Sequence, residues 1–287
     1  MPELPEVETV VQGLLTAITG KLIKTVTINR PNLRWPFPKG MKERLEGNVV
    51  LNVNRRSKYI LVELSLGETM IMHLGMSGRV LIHQGKAQNN HENFYFNQPE
   101  IEKHDHVIFD FEEGIRVVYN DPRRFGAIDV CKSMELSTHK MISNLGIEPL
   151  SNQFNADFLF EKFKGSKTTI KAALLNQRHV CGLGNIYVCE ALWRSGISPL
   201  KLAGQIKINK IELLTTAIRK VLLEAISSGG SSLKDFKNTE GTLGYFQHNF
   251  NVYDSEGNSC KTVGCCETIK KIVQAGRSTF FCNNCQR

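Results

Sequence analysis

The sequence predicts an α+β protein with a strand-rich first half, a helical second half and a metal-binding segment at the end. Before about residue 150, short runs rich in Val, Ile and Leu are separated by Gly and Asn, which is typical of antiparallel strands. From residue 154 to residue 230 apolar residues recur every three or four positions, which indicates helices. Five of the eight cysteines lie in the last thirty residues. With 287 residues, 41% of them hydrophobic, the chain is long enough for about two domains.

The first element is predicted to be a helix that presents the N-terminus. Pro5 suits the first turn of a helix, because the N–H that proline lacks has no partner there. Five apolar residues then follow at helical spacing: Val7, Val10, Val11, Leu14 and Ile18.

The next segments are predicted to be the strands of a β-sandwich or a barrel. They are "KLIKTVTINR", "NVVLNVNRRSKYILVELS", "TMIMHLGMSGRVLIH" and "GIRVVYN". The second half, from "FNADFLFEKFKG" through "KVLLEAISSGG", has helical periodicity. The Gly- and Ser-rich stretch "SSGGSSLKDFKNTEGTLGYF" is then predicted to be a loop that leads to the cysteine-rich tail.

The charge balance favours a polyanionic partner. Lys and Arg total 36 against 28 Asp and Glu, which gives a formal net charge of +8 and a pI near 9.0. Such an excess points to nucleic acid first and to an anionic membrane surface second. No apolar run approaches the roughly 20 residues that span a bilayer, and the N-terminus lacks a basic region followed by an apolar one. We therefore expect a cytoplasmic protein.

Four cysteines of the tail have the spacing of zinc ligands. Cys282 and Cys285 form a CxxC pair, Cys260 and Cys265 form a wider CxxxxC pair, and sixteen residues between the pairs leave room for one β-hairpin. Four thiolates suit tetrahedral zinc, and a segment of about 30 residues has too little core to fold without it. We predict one structural Zn²⁺, with Cys266 as an alternative to Cys265.

The opening stretch "MPELPEVETV" combines prolines with carboxylates. Initiator methionine is usually removed before a small residue, so the chain is expected to start at Pro2, whose secondary amine is a potential nucleophile. Complementarity to the positive end of the first helix, worth at most about 1 kcal/mol, is enough to explain Glu6 and Glu8. It gives no reason for Pro2 and Glu3 at the terminus.

Two segments near the cysteines and the helices are suited to phosphate. Arg277 in "AGRST" is predicted at the tip of the hairpin, where its guanidinium can hold a phosphate. Asn185 follows "GLG" and is predicted to cap the next helix, where backbone amides form an anion site. A solvated charge and a plain helix cap are the alternatives.

Two further stretches have the composition of a wedge for a base stack. "DPRRFG" contains Arg123, Arg124 and Phe125, and "HLGMSG" places Met76 between glycines. An exposed aromatic and a methionine beside arginines can enter a base stack while the cations hold phosphate. The alternative is that Phe125 and Met76 are core residues.

Taken together, these segments resemble the bacterial formamidopyrimidine-DNA glycosylases, which excise oxidised purines such as 8-oxoguanine. The similarity runs nearly end to end, through "PELPEVET", "RRSKYI", "MHLGMSGR", "KHDHV", "DPRRFGA", "GLGNIYVCEALW", "GGSSLKDF", "GYF", "VY" and "GRSTFFCNNCQR". An ordered series of this kind is more specific than any single motif.

The resemblance implies an architecture of three domains and a loop. An N-terminal antiparallel β-sandwich preceded by a helix is expected over residues 1–132, and a helix-two-turn-helix domain over 150–228. A loop that closes over the extruded base is expected over 229–250, and a β-hairpin zinc finger over 251–287. Many members have CxxC as the first zinc pair, whereas two extra residues separate Cys260 from Cys265 here; the resemblance favours Cys265 over Cys266.

The resemblance also implies the chemistry of the opening stretch. Pro2 is expected to attack the sugar C1′ and form a Schiff base, with Glu3 as general acid and Glu6 positioning it. The imine acidifies the neighbouring sugar carbon, so both phosphates can leave by β,δ-elimination. Lys58 is expected to assist the first elimination and Arg277 the second.

The same resemblance implies the contacts with damaged duplex DNA. Met76, Arg123 and Phe125 are expected to fill the space left by the flipped base. Further DNA or phosphate contacts are expected from His104, Lys167, Lys171 and Asn185. We expect a monomer that acts in the cytoplasm at the nucleoid without a protein partner.

Two alternatives remain open. An endonuclease VIII-type enzyme shares the fold and the N-terminal proline but prefers oxidised pyrimidines, and "PELPE" and "HLGMSG" favour the purine enzyme over it. A non-catalytic zinc-finger DNA-binding protein accounts for the charge and the cysteines but leaves Pro2 and Glu3 unexplained.

Overall fold

The computed structural model describes residues 1–84, 102–231 and 245–287, which form two compact units. The first unit holds Met1–Pro2, Glu6–Ser143 and the segment that begins at Gly229. The second holds Glu3–Pro5, Asn144–Ser228 and Tyr245–Arg287. The first helix, Leu4–Ile18, therefore starts in the second unit and continues in the first.

The first unit is built mainly from antiparallel strands. Its helices and strands are α1 (Leu4–Ile18), β1 (Ile23–Ile28), α2 (Met41–Leu45), β2 (Val50–Arg56), β3 (Tyr59–Leu64), β4 (Glu68–His73), β5 (Arg79–Gln84), β6 (Asp105–Phe111), β7 (Ile115–Asn120) and β8 (Ala127–Lys132). Short 3₁₀-helices span Glu112–Gly114 and Ser133–Thr138.

The strands form two separate sheets of four. One has the order β1-β6-β7-β5 and the other β2-β3-β4-β8, with every neighbouring pair antiparallel. Two sheets whose inner faces share one core make a β-sandwich, so of the two architectures left open by the sequence, the sandwich is confirmed.

Helix α1 is held by the core of the sandwich. The five apolar residues that predict it are each no more than 2% exposed: Val7, Val10, Val11, Leu14 and Ile18. They share a core with Val26 and Phe109 from one sheet and with Ile60 and Met72 from the other. Burial of one such side chain contributes roughly 1.5–3 kcal/mol, so packing fixes the helix that follows the N-terminus.

The second unit combines helices with a hairpin, which confirms the predicted helical second half. Its elements are α3 (Ala156–Phe163), α4 (Ile170–Leu175), α5 (Asn185–Arg194), α6 (Ile208–Ser227), β9 (Ile269–Gln274) and β10 (Arg277–Cys282), with 3₁₀-helices at Ala203–Gln205 and Phe246–Asn249. Helix α5 is buried from Ile186 to Leu192 and contacts α4, α6 and β10. A helix that is buried on nearly all sides belongs at the centre of its domain.

Strands β9 and β10 form the predicted hairpin. Ala275 and Gly276 are the only residues between the strands, and both have a positive φ, of 48° and 70°. Positive φ at both central residues is the type I′ geometry, which matches the twist of paired strands. Phe280 and Cys282 of β10 pack with Cys189 of α5 and with Val252, so the hairpin shares the core of the second unit.

The predicted loop over 229–250 lies mostly outside the described residues. Within the part of the chain that the structure describes, no helix is long and apolar enough to cross a membrane.

Candidate functional site

The N-terminal residues are enclosed rather than frayed. Pro2 is buried, and Glu3 is also buried. In the second unit, the Glu3 Oε1 accepts a hydrogen bond of 3.0 Å from the Ile186 backbone N–H, and the Leu4 N–H donates to the Gly182 carbonyl at 3.1 Å. Since Ile186 is the second residue of α5, the Glu3 carboxylate lies at the positive end of that helix.

The glycines before α5 make room for these residues. A Cβ at Gly184 would lie 2.2 Å from the Glu3 Cδ, and a Cβ at Gly182, which has a φ of +83°, would lie 2.7 Å from a Leu4 methyl carbon. The sequence predicts an anion at this helix end. In the structure, the Ile186 amide binds the chain's own carboxylate.

The predicted helix cap at Asn185 is wrong. Gly184 is the N-cap residue and Asn185 is the first residue of α5. The Asn185 side chain instead donates a hydrogen bond of 2.8 Å to the Ser278 carbonyl in β10. A side chain turned towards the hairpin cannot accept from the first amides of its own helix.

Lys171 is fully buried beneath the same hairpin. Its Nζ donates to the Ser278 carbonyl at 3.0 Å and to the Thr279 hydroxyl. Burial lowers the pKa of this amine, and the charge of Arg277 lowers it further. Lys171 thus contacts the backbone next to Arg277, and its contact with DNA stays a prediction.

The two other predicted basic groups of the second unit are exposed. Arg277 is the first residue of β10, directly after the Ala275–Gly276 turn. Lys167 lies between α3 and α4. Both side chains are therefore available to a phosphate.

In the first unit, Lys58 is nearly buried although it lies in a turn. Ser57, with a φ of 57°, and Lys58 join β2 to β3, and Lys58 is only 6% exposed. Burial and then the charges of Lys58 and Arg34 lower the pKa of His73 to about 4. His73 is therefore neutral at neutral pH, and its Nδ1 accepts the Gly75 N–H at 3.1 Å.

The structure brings together the loops of Met76, Arg123 and Phe125. Met76 is half-buried between β4 and β5, whereas Arg123 and Phe125 are exposed between β7 and β8. The Arg123 Cζ lies 5.0 Å from the centroid of the Phe125 ring, a cation–π distance. Phe125 is 48% exposed, which excludes it from the core. The half-buried His104 ring lies 6.5 Å from that of His106.

Four of the tail cysteines form a cluster. The Sγ atoms of Cys260, Cys265, Cys282 and Cys285 lie within 4.8 Å of one another, with 3.8 Å from Cys260 to Cys285 and 3.7 Å from Cys265 to Cys282. Tetrahedral zinc with Zn–S bonds of about 2.3 Å separates its sulfur ligands by roughly 3.8 Å, so the four thiols fit this ion. Cys266 is exposed and lies outside the cluster.

Sequence reasoning missed one buried carboxylate of the second unit. Glu190 on α5 accepts hydrogen bonds from the backbone N–H groups of Asn251, Val252 and Tyr253, at 2.9–3.0 Å. It thereby fixes the segment that leads into the cysteine cluster. A single acidic residue within the apolar run "IYVCEALW" is the signal that could have identified it.

Comparison with known proteins agrees with this geometry. The model of the formamidopyrimidine-DNA glycosylase N-terminal domain matches residues 1–128, and the model of the H2TH domain of the same enzyme matches residues 145–237. The chain belongs to this family. A third model, a zinc finger found in FPG and IleRS, matches residues 265–287, and with the four clustered thiols it confirms the prediction of one structural zinc ion.

Relatives of this glycosylase match over its full length. Proteins named formamidopyrimidine-DNA glycosylase from Dinoroseobacter shibae and a Ruegeria species are 55% and 52% identical, and all of both chains is covered. A complex of Lactococcus lactis Fpg with abasic-site DNA has 33% identity, a TM-score of 0.87 and 99% coverage of both chains. MutM bound to DNA with carbocyclic 8-oxo-G has 34% identity, a TM-score of 0.87 and full coverage. The predicted family and fold class are thus confirmed.

Proposed function

We propose that this glycosylase removes oxidised purines, 8-oxoguanine and formamidopyrimidines, from duplex DNA and then cleaves the abasic strand. Family membership and the DNA complexes of its relatives support DNA glycosylase and lyase chemistry in base-excision repair. The observation that carries the assignment of roles is the buried Glu3 carboxylate, which is held at the N-terminus of α5 and directly follows Pro2 in the chain.

In the proposed first step, the Pro2 amine acts as nucleophile. Once Met1 is removed, Pro2 has a free α-amine, and α-amines have a reference pKa near 8, low enough for a fraction of them to be unprotonated at neutral pH. Its lone pair forms a bond to C1′, and the base leaves with the electron pair of the glycosidic bond and takes up a proton from water. The Glu3 carboxylate takes the proton of the Pro2 nitrogen and delivers it to the ring oxygen as the C1′–O4′ bond breaks, so that an iminium ion links Pro2 to the sugar.

The iminium ion leads to strand cleavage. It acidifies the C2′–H bond, so loss of that proton expels the 3′ phosphate, and a second elimination expels the 5′ phosphate. We assign Lys58 to the first elimination and Arg277 to the second. Arg277 is exposed at the hairpin turn, while Lys171 and Asn185 both bind the Ser278 carbonyl beside it. We therefore propose that Lys171 acts by holding the strand that carries Arg277.

The remaining predicted residues are assigned to DNA. Met76, Arg123 and Phe125 fill the gap left by the flipped base, and His104, Lys167 and Asn185 contact the backbone. The exposure of Phe125, Arg123 and Lys167 supports these roles. We propose that the protein acts as a monomer in the cytoplasm, at the nucleoid, and that its domains span residues 1–132, 150–228 and 251–287 with a capping loop over 229–250.

Borohydride trapping tests the proposed reaction, because reduction of the iminium ion leaves a stable protein–DNA conjugate. Protein whose Met1 removal has been verified by mass is incubated with duplexes that contain 8-oxoguanine or thymine glycol, and the conjugated peptide is sequenced by mass spectrometry. We expect a conjugate at Pro2 with the 8-oxoguanine duplex. Pro2→Gly and Glu3→Gln are expected to lose most of the product, whereas Glu8→Gln, in helix α1 that follows them, is the matched control.

Two other outcomes of the trapping experiment would contradict the proposal. A solved relative, Lactococcus lactis Fpg, was captured with DNA that contains an oxidised pyrimidine, at 33% identity and a TM-score of 0.87. Preference for thymine glycol would therefore move the substrate class to oxidised pyrimidines. If neither duplex gives a conjugate, the imine mechanism is wrong.

A further inference from the structure

A buried carboxylate joins the two loops that carry Met76, Arg123 and Phe125. Asp121 is fully buried at the end of β7. Its Oδ1 accepts the Ser77 hydroxyl at 2.7 Å, and its Oδ2 accepts the Gly126 backbone N–H at 2.8 Å. One carboxylate therefore binds the turn after β4 and the segment before β8.

Ser77 completes the connection. Its Oγ accepts the Arg123 backbone N–H at 3.1 Å while its proton goes to Asp121. Ser77 follows Met76 in the chain, and the Arg123 amide lies two residues before Phe125. The hydrogen bonds of Ser77 and Asp121 are thus made at Arg123 itself, or at a residue next to Met76 or Phe125.

The two loops approach each other closely beside Asp121. A Cβ at Gly75 would lie 2.3 Å from the Phe125 carbonyl carbon, and a Cβ at Gly126 would lie 1.7 Å from the Tyr119 hydroxyl oxygen. That hydroxyl donates to the His73 carbonyl at 2.9 Å. The two loops are in backbone contact, and a tyrosine of β7 lies beneath them.

We propose that Asp121 and Ser77 are positioning residues that hold Met76, Arg123 and Phe125 ready to enter the base stack. This inference rests on the proposed function, because it requires those three side chains to fill the gap. A buried carboxylate is stable only while its hydrogen-bond donors stay in place, so it couples the two loops to one conformation. Loops that are already ordered lose less conformational entropy when they insert into DNA.

The test compares two substrates that differ in the need for insertion. Excision of 8-oxoguanine from a duplex requires the base to be flipped and the gap filled, whereas cleavage of an abasic site in single-stranded DNA requires neither. For Ser77→Ala and Asp121→Asn, we expect the ratio of duplex to single-strand rates to fall about tenfold, which corresponds to about 1.4 kcal/mol, the size of a lost charged hydrogen bond. Fluorescence of 2-aminopurine beside the lesion should show the same slowing of base unstacking.

A matched control separates positioning from folding. Thr69→Val removes the hydrogen bond of 2.7 Å between the buried Thr69 hydroxyl and Ser133, at the opposite end of β4 from the Met76 loop. We expect its rate ratio to equal that of the parent protein. If Thr69→Val lowers the ratio as much as Ser77→Ala does, the effect is general destabilisation and the positioning role is wrong. Because Ser77→Ala is the milder change, the test stands even if Asp121→Asn does not fold.

Variants of the wedge distinguish this inference from the proposed function. If Met76→Ala and Phe125→Ala leave duplex excision unchanged, the gap-filling role itself fails. If they lower it but Ser77→Ala and Asp121→Asn do not, only the positioning role fails. If Ser77 acts through Phe125, Ser77→Ala must lower the ratio of duplex to single-strand rates less in the Phe125→Ala variant than in the parent protein. A double-mutant cycle measures this difference. Full additivity of the two losses would overturn the inference.

Discussion

At the residue scale, the position of Glu3 depends on the absence of a side chain at residue 184. A Cβ there would lie 2.2 Å from the Glu3 Cδ and 2.3 Å from its Oε1. The φ of Gly184 is −133°, which any residue adopts, so the requirement for glycine is steric and not conformational. The space is reserved for the carboxylate that the proposed mechanism uses.

Gly184→Ala is therefore expected to displace Glu3 and to lower excision of 8-oxoguanine at least about tenfold, the loss typical of a misplaced general acid. Single-turnover rates on an 8-oxoguanine duplex check this prediction. Thermal unfolding of the same variant serves as the control, because the second unit should stay folded. An excision rate equal to that of the parent protein would show that Glu3 tolerates displacement.

His73 gives a prediction for pH. Its pKa falls from about 6.5 in the unfolded chain to about 4 in the folded protein. Between these values the unfolded state binds the extra proton, so stability rises with pH across this window and is lost as the pH falls from about 6.5 towards 4, by on the order of 2 kcal/mol. Urea unfolding at several pH values measures this slope.

The variant His73→Asn keeps an acceptor for the Gly75 N–H but cannot titrate. We expect a shallower dependence of the unfolding free energy on pH than in the parent protein, within the same window. Identical slopes would mean that His73 does not titrate differently in the folded and unfolded states.

At the element scale, the hairpin β9–β10 is fixed from below by donors of the helical domain. Lys171 from α4 and Asn185 from α5 both donate to the Ser278 carbonyl, which lies one residue after Arg277. The direction of the exposed arginine is thus set by two side chains that lie far from it in the sequence.

Lys171→Met is expected to loosen this strand and to shift products from β,δ-elimination towards β-elimination, in the same sense as Arg277→Ala. Loss of a hydrogen bond from a charged donor costs about 1.5–3 kcal/mol, enough for about a tenfold change in the ratio of products. Gel analysis of the cleaved strand measures that ratio. Lys270→Met, an exposed lysine on β9, is the matched control and should leave the products unchanged. An unaltered ratio in Lys171→Met would contradict the indirect role.

We expect the zinc ion to keep the hairpin β9–β10 folded. Cys260 and Cys282 belong to a small core with Cys189, Val252 and Phe280. Once zinc is removed by a chelator, we expect the hairpin to lose its protection against proteolysis while the sandwich keeps its own, since the apolar core around the thiols is small. Limited proteolysis with mass analysis locates the cleavage sites. Equal protection of the hairpin with and without zinc would show that its core is sufficient alone.

At the scale of the whole molecule, the local patterns of the sequence predicted the elements but not their partners. Helix α1 was predictable because Val7, Val10 and Leu14 follow a single period. The cap at Asn185 was not, because the side chain at the end of α5 belongs to Glu3, which lies 183 positions before the Ile186 amide that it binds. The burial of Lys171 was not predictable for the same reason, since its acceptors in β10 lie more than one hundred residues later.

In the candidate site too, residues with a local sequence pattern could be predicted, and residues whose partners lie far away in the sequence could not. The four clustered cysteines could be predicted because two of their spacings are local, and only geometry separates Cys265 from Cys266. Asp121 lies in the polar stretch "NDPRRFG" and has no sequence signature as a buried carboxylate, because the groups that surround it come from other segments. Glu190 differs, since the apolar run around it indicates burial but not which amides it binds.

The bond between Glu3 and the Ile186 amide also bears on how the protein is made. A ribosome that adds about 5–20 residues per second needs roughly 10–40 s to travel from residue 3 to residue 186, and during that time the carboxylate has no helix end to bind. The Glu3 carboxylate thus lacks this partner until α5 has been synthesised. Removal of Met1 during synthesis would therefore act on a chain end in which this hydrogen bond has not yet formed.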